Sequence, residues 1–233
     1  SALSEYPENV AAEVTDNQLT LTPAEDWNGS VNISVSVSDG FLTDPETFIL
    51  TVNPLNDAPT IVLPESFIFA EDGILVENFS DFVDDIDEDD LVLTVSGTVN
   101  VTVSINGFDV TFGSVQDFNG TETLTFTVND NQGRAIASDA VDIIVSPVND
   151  PPIATNAVIT PSSPTLSEDL VLSYDYFDIE GDGESGTTIT WFNNGAEESG
   201  FADQLTIPAS ATSCEEEWYA EVTPQDGELF GEP

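Results

Sequence analysis

The chain has 233 residues, of which 45 are Asp or Glu, while Arg134 is its one base and it holds no His. Nucleic-acid binding is close to excluded, because displacing phosphate counterions needs Lys and Arg, and an anionic membrane surface is disfavoured for the same reason. A Ser-His-Asp triad, a Schiff-base lysine, a Cys-His pair and His-based zinc or copper sites are excluded by composition, which leaves paired carboxylates and all-oxygen cation sites.

In chain order, residues 24–60 set the pattern. Asp26-Trp27-Asn28-Gly29 reads as a turn. Val31–Val37 and Thr47–Val52 alternate apolar with small polar residues, the period of a half-buried strand. Asp39 and Gly40 separate the two strands, and a short Pro-marked linker, Pro54 to Pro59, carries Asn56-Asp57. Prolines in such a linker restrict its conformations and favour an extended joint.

The same marks return 91 to 93 residues later. Asp117-Phe118-Asn119-Gly120 answers Asp26 to Gly29, and Asp130 answers Asp39. Asn149-Asp150, in the linker Pro147 to Pro152, answers Asn56-Asp57. Between these marks lie Glu71-Asp72, the acidic run Asp84 to Asp90, a strand at Leu91–Val95, and strands at Thr123–Val128 and Val141–Val145. Asn106-Gly107, between Val101–Ile105 and Phe108–Phe112, reads as a hairpin turn. A weaker third copy follows: Glu168-Asp169 answers Glu71-Asp72, Asp178-Ile179-Glu180-Gly181-Asp182 answers Asp85 to Asp89, and Asp226-Gly227 answers Asp39-Gly40. Helical periodicity is absent. Short strands with frequent turns predict an all-β chain of tandem Greek-key sandwiches in an extended array. The expected domains are residues 1–57 (partial), 58–150 (complete) and 151–233 (final strand missing). The first copy lacks the ~30 residues that precede the matching point of the second, by the repeat period. A window cut from a longer array explains this, and so does a strand supplied by a neighbouring molecule.

The run LTLTPAEDWNGS, then VSVSDG, then LTVNPLNDAPT resembles the cadherin-like tandem repeats of large prokaryotic surface or adhesin-type proteins. LSEDLVLSYDYFDIEGDG, TITWFNNG and WYAEVTPQDG in the third copy resemble an immunoglobulin-like repeat from the same kind of protein. That resemblance places Trp191 as a buried strand-C Trp and puts Leu172 and Ala220 where such domains often carry a disulfide. Cys214 is alone, so no bridge forms within the chain.

In this topology the B–C and F–G loops lie at the end where a domain begins, and the A–B and E–F turns at its exit. The first joint then gathers Asn56, Asp57, Asp85, Asp87, Asp89 and Asp130, with Glu25 and Asp26 offered from the preceding copy. The second gathers Glu71, Asp72, Asp117, Asn149, Asp150, Asp178, Glu180, Asp182 and Asp226. Calcium takes six to eight oxygen ligands of these types, and the resemblance implies the same cofactor; with no acid two residues before Asn56 and no Asn after Asp57, the linker is shorter than the full cadherin one, so one or two ions per joint are expected. Asp16, Asp44, Asp139, Asp142 and Glu215–Glu217 read as solvent-facing charge, and Trp27, Phe118 and Trp218 as packing residues. Five sequons, at Asn28, Asn32, Asn78, Asn100 and Asn119, are candidates for glycosylation.

No run of about 18 apolar residues is present to span a membrane. The functional expectation is a non-enzymatic, extracellular or cell-surface stalk or fibre segment stiffened by calcium. Its expected partners are neighbouring repeats, other copies of itself or surface glycans. A strand-exchanging filament subunit and a glycan-binding or homophilic module are the alternatives. A carboxylate-pair glycosidase is disfavoured because such small domains imply no cleft.

Overall fold

The computed structural model describes residues 1–133 and 136–233, so Arg134 lies outside the described residues. The chain divides into two units, Ser1–Ser146 and Pro147–Pro233. The first unit carries β1 (Ala2–Ser4), β2 (Val10–Thr15), β3 (Gln18–Pro23), β4 (Gly29–Ser38) and β5 (Thr43–Val52). These are followed by β6 (Thr60–Ile61), β7 (Ser66–Ala70), β8 (Leu75–Asn78), β9 (Val83–Asp84), β10 (Val92–Ser96), β11 (Val101–Asn106), β12 (Asp109–Ser114), β13 (Gly120–Asn129) and β14 (Ile136–Ser146).

From Thr60 to Ser146 the strands form a complete Greek-key sandwich. One sheet runs β10-β13-β14-β7, the other β11-β12-β8, and β6 pairs with β9. The alternation along each strand turns one face inward. Phe67, Phe69, Phe79, Phe112 and Phe126 meet between the sheets, with Phe79 and Phe126 centroids 4.8 Å apart, and Phe79, Phe112 and Phe126 are fully buried. All neighbours in the two larger sheets are antiparallel except β7, which runs parallel to β14 from Ser66 opposite Asp142 to Ala70 opposite Ser146. Within the hairpin, Asn106 pairs with Asp109, so the loop is Gly107-Phe108, one residue later than the Asn-Gly reading. Gly107 has φ 63° as the first loop residue, the requirement of a type II′ turn rather than type I′.

The first five strands repeat part of this plan. The order β1-β4-β5 corresponds to β10-β13-β14, and the β2-β3 hairpin to β11-β12. Their core is small: Val10, Val31 and Ile33 are buried, with Leu21, Trp27, Val35 and Leu50 partly so.

The second unit contains β15 (Ile153–Thr160), β16 (Leu170–Phe177), β17 (Thr188–Asn193), β18 (Ala196–Glu197), β19 (Thr206–Ile207) and β20 (Trp218–Thr223). One sheet is β15-β16-β19 and the other β18-β17-β20. Trp191 is fully buried, donates its indole N–H to the Gln204 carbonyl at 2.7 Å, and stands edge-on to Trp218. Leu172 and Ala220 pack in the same cluster, so apolar contact occupies the positions the resemblance assigned to a disulfide.

Several acids expected to be plain surface charge have partners instead. Asp139 Oδ2 accepts the Leu63 N–H at 2.8 Å, tying the start of the second sandwich to β14, and Asp142 accepts the Thr123 hydroxyl at 2.6 Å. Glu216 accepts the Ser213 N–H at 2.7 Å and the Trp218 indole N–H at 3.0 Å. Asp16, Asp44, Glu215 and Glu217 are exposed, as read from the sequence.

Candidate metal centre

The loop between β9 and β10 curls around its own first acid. Asp85 Oδ1 accepts the N–H groups of Asp87 at 2.9 Å and Asp89 at 3.3 Å, and Glu88 takes φ 60°. Alternate residues therefore face one way, which brings carboxylate oxygens of Asp85, Asp87 and Asp89 within 4.8 Å of one another. Among the described residues this is the group whose acidic oxygens converge so closely. That limit is below twice a calcium–oxygen bond of roughly 2.3–2.6 Å at its longer end, the largest distance two oxygens sharing one ion can have. Asp85 Oδ2 is buried with no hydrogen-bond partner.

The linker before β6 closes over this loop. The Asp57 N–H donates to Asp87 Oδ2 at 2.7 Å. The Asn56 amide donates to Asp130 Oδ2 at 2.8 Å and to the Asp57 carbonyl at 2.9 Å. Asp130, buried at the turn after β13, accepts the Gln132 N–H on its other oxygen. The Asn56 amide is the main reason its carboxyl is held below the usual carboxylate range, and Gln132 Nε2 reaches on to Asp89 Oδ1 at 3.2 Å. Asp57 is perturbed the other way. Desolvation raises its carboxyl, and the charges of Asp26, Asp87 and Asp85 add to the rise. Asp26, in the β3–β4 turn, thus belongs to the same electrostatic neighbourhood, while Glu25 beside it is exposed.

The second unit repeats the arrangement. The Asn149 amide donates to Asp226 Oδ2 at 2.8 Å, as Asn56 does to Asp130. The Asp150 N–H donates to Glu180 Oε2 at 3.2 Å, as Asp57 does to Asp87. Asp226 Oδ1 accepts the N–H groups of Glu228 and Leu229, and the Asn149 amide leads the effects that hold its carboxyl low. Asp178 Oδ1 accepts the Asp182 N–H at 2.9 Å, and its buried Oδ2 has no hydrogen-bond partner. Tyr176 was not legible as a site residue. Its hydroxyl is buried without a hydrogen-bond partner, and burial, then the charges of Asp178, Asp226, Glu184 and Asp182, push its pKa up.

Glu71, Asp72 and Asp117 lie in the first unit, away from the Asp85–Asp89 loop in sequence and at the β7 and β13 ends. Glu71 is buried, donates its N–H to the Ser146 carbonyl at 2.9 Å, and faces the Asn119 amide at 3.5 Å. Asp72 and Asp117 take φ 62° and 56°. Among the sequons, Asn28, Asn32, Asn78 and Asn119 are exposed and Asn100 is half-buried. The side-chain amides of Asn32 and Asn78 donate to Glu5 and Asp109.

A donor set of carboxylates, Asn side chains and carbonyls, without sulfur or imidazole, suits a hard cation such as calcium. Residues 56–144 match the family model described as a bacterial Ig domain. No curated protein matches the chain. Among solved structures, mouse protocadherin-24 EC1–3 aligns over 95% of this chain and 88% of its own, at 12% identity and a TM-score of 0.54. Titin domains A168–A170 align over 97% and 80%, at 11% identity and a TM-score of 0.35. An endo-fucoidan hydrolase of glycoside hydrolase family 107 aligns over 62% of this chain, at 15% identity and a TM-score of 0.31, and the chain spans 28% of that protein's length. The protocadherin likeness supports the fold, and the chain is similar to bacterial Ig-like and cadherin-like tandem repeats.

Proposed function

We propose that this chain is a non-enzymatic segment of an extracellular, cell-surface protein of the adhesin type, in which calcium held by the linker and loop acids fixes the angle between successive repeats. The observation that carries this reading is the duplicated clasp. Asn56 to Asp130 with Asp57 to Asp87 recurs as Asn149 to Asp226 with Asp150 to Glu180. In each case an Asn side chain secures the linker to the F–G turn, and the next backbone N–H secures it to the B–C loop.

At the first joint Asp57, Asp85, Asp87, Asp89 and Asp130 supply the ligands, with Asn56 as orienting residue and Asp26 as a further acid. In the second unit Asn149, Asp150, Asp178, Glu180, Asp182 and Asp226 form the corresponding set. Like charges ~4 Å apart repel by on the order of 1 kcal/mol in water and more near a protein surface. Cation binding offsets that repulsion only when linker and loop are together, so it stabilises the assembled joint. Non-enzymatic Ig-like and cadherin-like modules, together with an acidic surface, favour a structural role outside the cell.

Differential scanning calorimetry in calcium and in chelator tests this. Millimolar calcium raises the melting temperature, and chelator reverses the rise. An identical melting profile in both buffers refutes the calcium role.

A further inference from the structure

The two clasps are built alike except at one cross-strand pair beside the B–C loop. Glu88 and Gly181 take φ 60° and 83° at the same loop position, and Asp85 and Asp178 each accept the N–H four residues on, from Asp89 and Asp182. The strands that enter the two loops share one register. Thr60 lies opposite Asp84 and Ile61 opposite Val83, as Ile153 lies opposite Phe177 and Ala154 opposite Tyr176. Ile61 and Val83 therefore answer Ala154 and Tyr176. In the first unit both residues pack on the phenylalanine core. In the second unit a small residue faces a large one, and the large one ends in a hydroxyl.

That exchange brings a hydrogen-bond donor to the acids of the second unit. The Tyr176 hydroxyl is buried, has no hydrogen-bond partner, and lies among the charges of Asp178, Asp226, Glu184 and Asp182. Asp178 is 8% exposed, and its Oδ2 is a second buried oxygen without a hydrogen-bond partner. Buried polar atoms are nearly always paired, with protein, water or an ion. Here the two lie on side chains two residues apart, one an O–H donor and the other an anionic acceptor. A cation satisfies the carboxylate, and a water among its ligands satisfies the hydroxyl, since calcium sites take waters as well as carboxylates. Val83 offers the first site no such donor.

We propose that Tyr176 is a positioning residue of a cation site in the second unit, its hydroxyl donating to a water on the ion that Asp178 Oδ2 ligates. This rests on the calcium reading above and deepens it: the second site holds its ion with a hydroxyl that the first site does without.

Calcium titration of the whole chain, followed at the amide resonances of Asp57 and Asp150, tests this in the parent and in Tyr176→Phe. These N–H groups donate to Asp87 and to Glu180, so each reports on its own site. In the variant the Asp150 midpoint should move to about tenfold higher calcium or more, the loss typical of removing a group that orients metal ligands. The Asp57 midpoint should stay where it is. The melting temperature in chelator should be no lower than the parent's, because the ring remains and only an unpaired hydroxyl is gone. An Asp150 curve that coincides in parent and variant, or an Asp150 amide that does not respond in the parent while Asp57 does, overturns the proposal and leaves the calcium reading at the first site intact. An equal shift at Asp57 and Asp150, or a fall in the chelator melting temperature, also overturns it, because either marks a general loss of structure. A parent in which calcium moves neither amide refutes the calcium reading and this proposal with it.

Discussion

At Asp57 one side chain meets burial and three neighbouring charges while its own N–H is committed to Asp87. Replacing it with Asn removes a charge but keeps the size and the backbone bond. Asp57→Asn therefore raises the melting temperature in chelator, because repulsion with Asp26, Asp87 and Asp85 falls, and it shrinks the further rise produced by calcium. Melting curves of both proteins in both buffers check this, and a variant whose calcium response equals that of the parent contradicts it. Glu122 shows the opposite balance. Burial raises its carboxyl, but the N–H groups of Val99, Asn100 and Val101 outweigh that and hold it below the usual range. A lowered folded-state pKa gives stability that is present above the unfolded carboxylate range and is lost as pH falls through the folded value. Glu122→Gln should cost about 1 kcal/mol at neutral pH, after discounting for partial exposure. The difference from the parent should disappear on acidification, as denaturant titrations at several pH values would show. In the core, Phe79 touches Phe67, Phe82, Phe112 and Phe126 and is fully buried. Phe79→Ala should cost about 3–5 kcal/mol in urea unfolding.

Among the elements, the turns before β4 and β13 show the repeat most directly. Asp26 and Asp117 take φ 57° and 56°, and Gly29 and Gly120 take 140° and 141°. In each turn the aromatic residue two before the glycine packs against it. A Cβ at Gly29 would meet the Trp27 ring at 3.1 Å, and one at Gly120 the Phe118 ring at 3.5 Å. Both glycines are strained by any side chain, on the order of 1–3 kcal/mol, and the tighter contact makes Gly29→Ala the more damaging change within its own repeat. Site-resolved hydrogen exchange in β4 and β13 compares them. Much of this level was legible in the sequence, since the period-two runs Val31–Val37, Thr123–Val128 and Val141–Val145 lie within β4, β13 and β14. What failed was local. Asn106 carries the expected Asn-Gly signal, yet the ladder extends through Asn106 opposite Asp109 and puts the turn one residue on. Asp139 and Glu216 looked like ordinary surface charge because their backbone partners, Leu63 and Ser213, carry no side-chain signature that could announce the bond.

Across the molecule, the extreme acidity acquires a local meaning where linker, B–C loop and F–G turn come together. The sequence places Asn56-Asp57 and Asp85 to Asp89 about 30 residues apart, and it is the loop order of a sandwich, with the B–C and F–G loops at the end where a domain begins, that predicts their meeting. The mutual distances, the buried unpartnered oxygen of Asp85 and the involvement of Gln132 and Tyr176 depend on loop curvature and packing, which no one-dimensional pattern encodes. The most direct test of the central claim is an anomalous difference map from crystals grown with calcium or with a lanthanide in its place. A peak bounded by Asp57, Asp85, Asp87 and Asp89 is the predicted result. A clean map at that position, from crystals in which the ion was present at millimolar concentration, contradicts it.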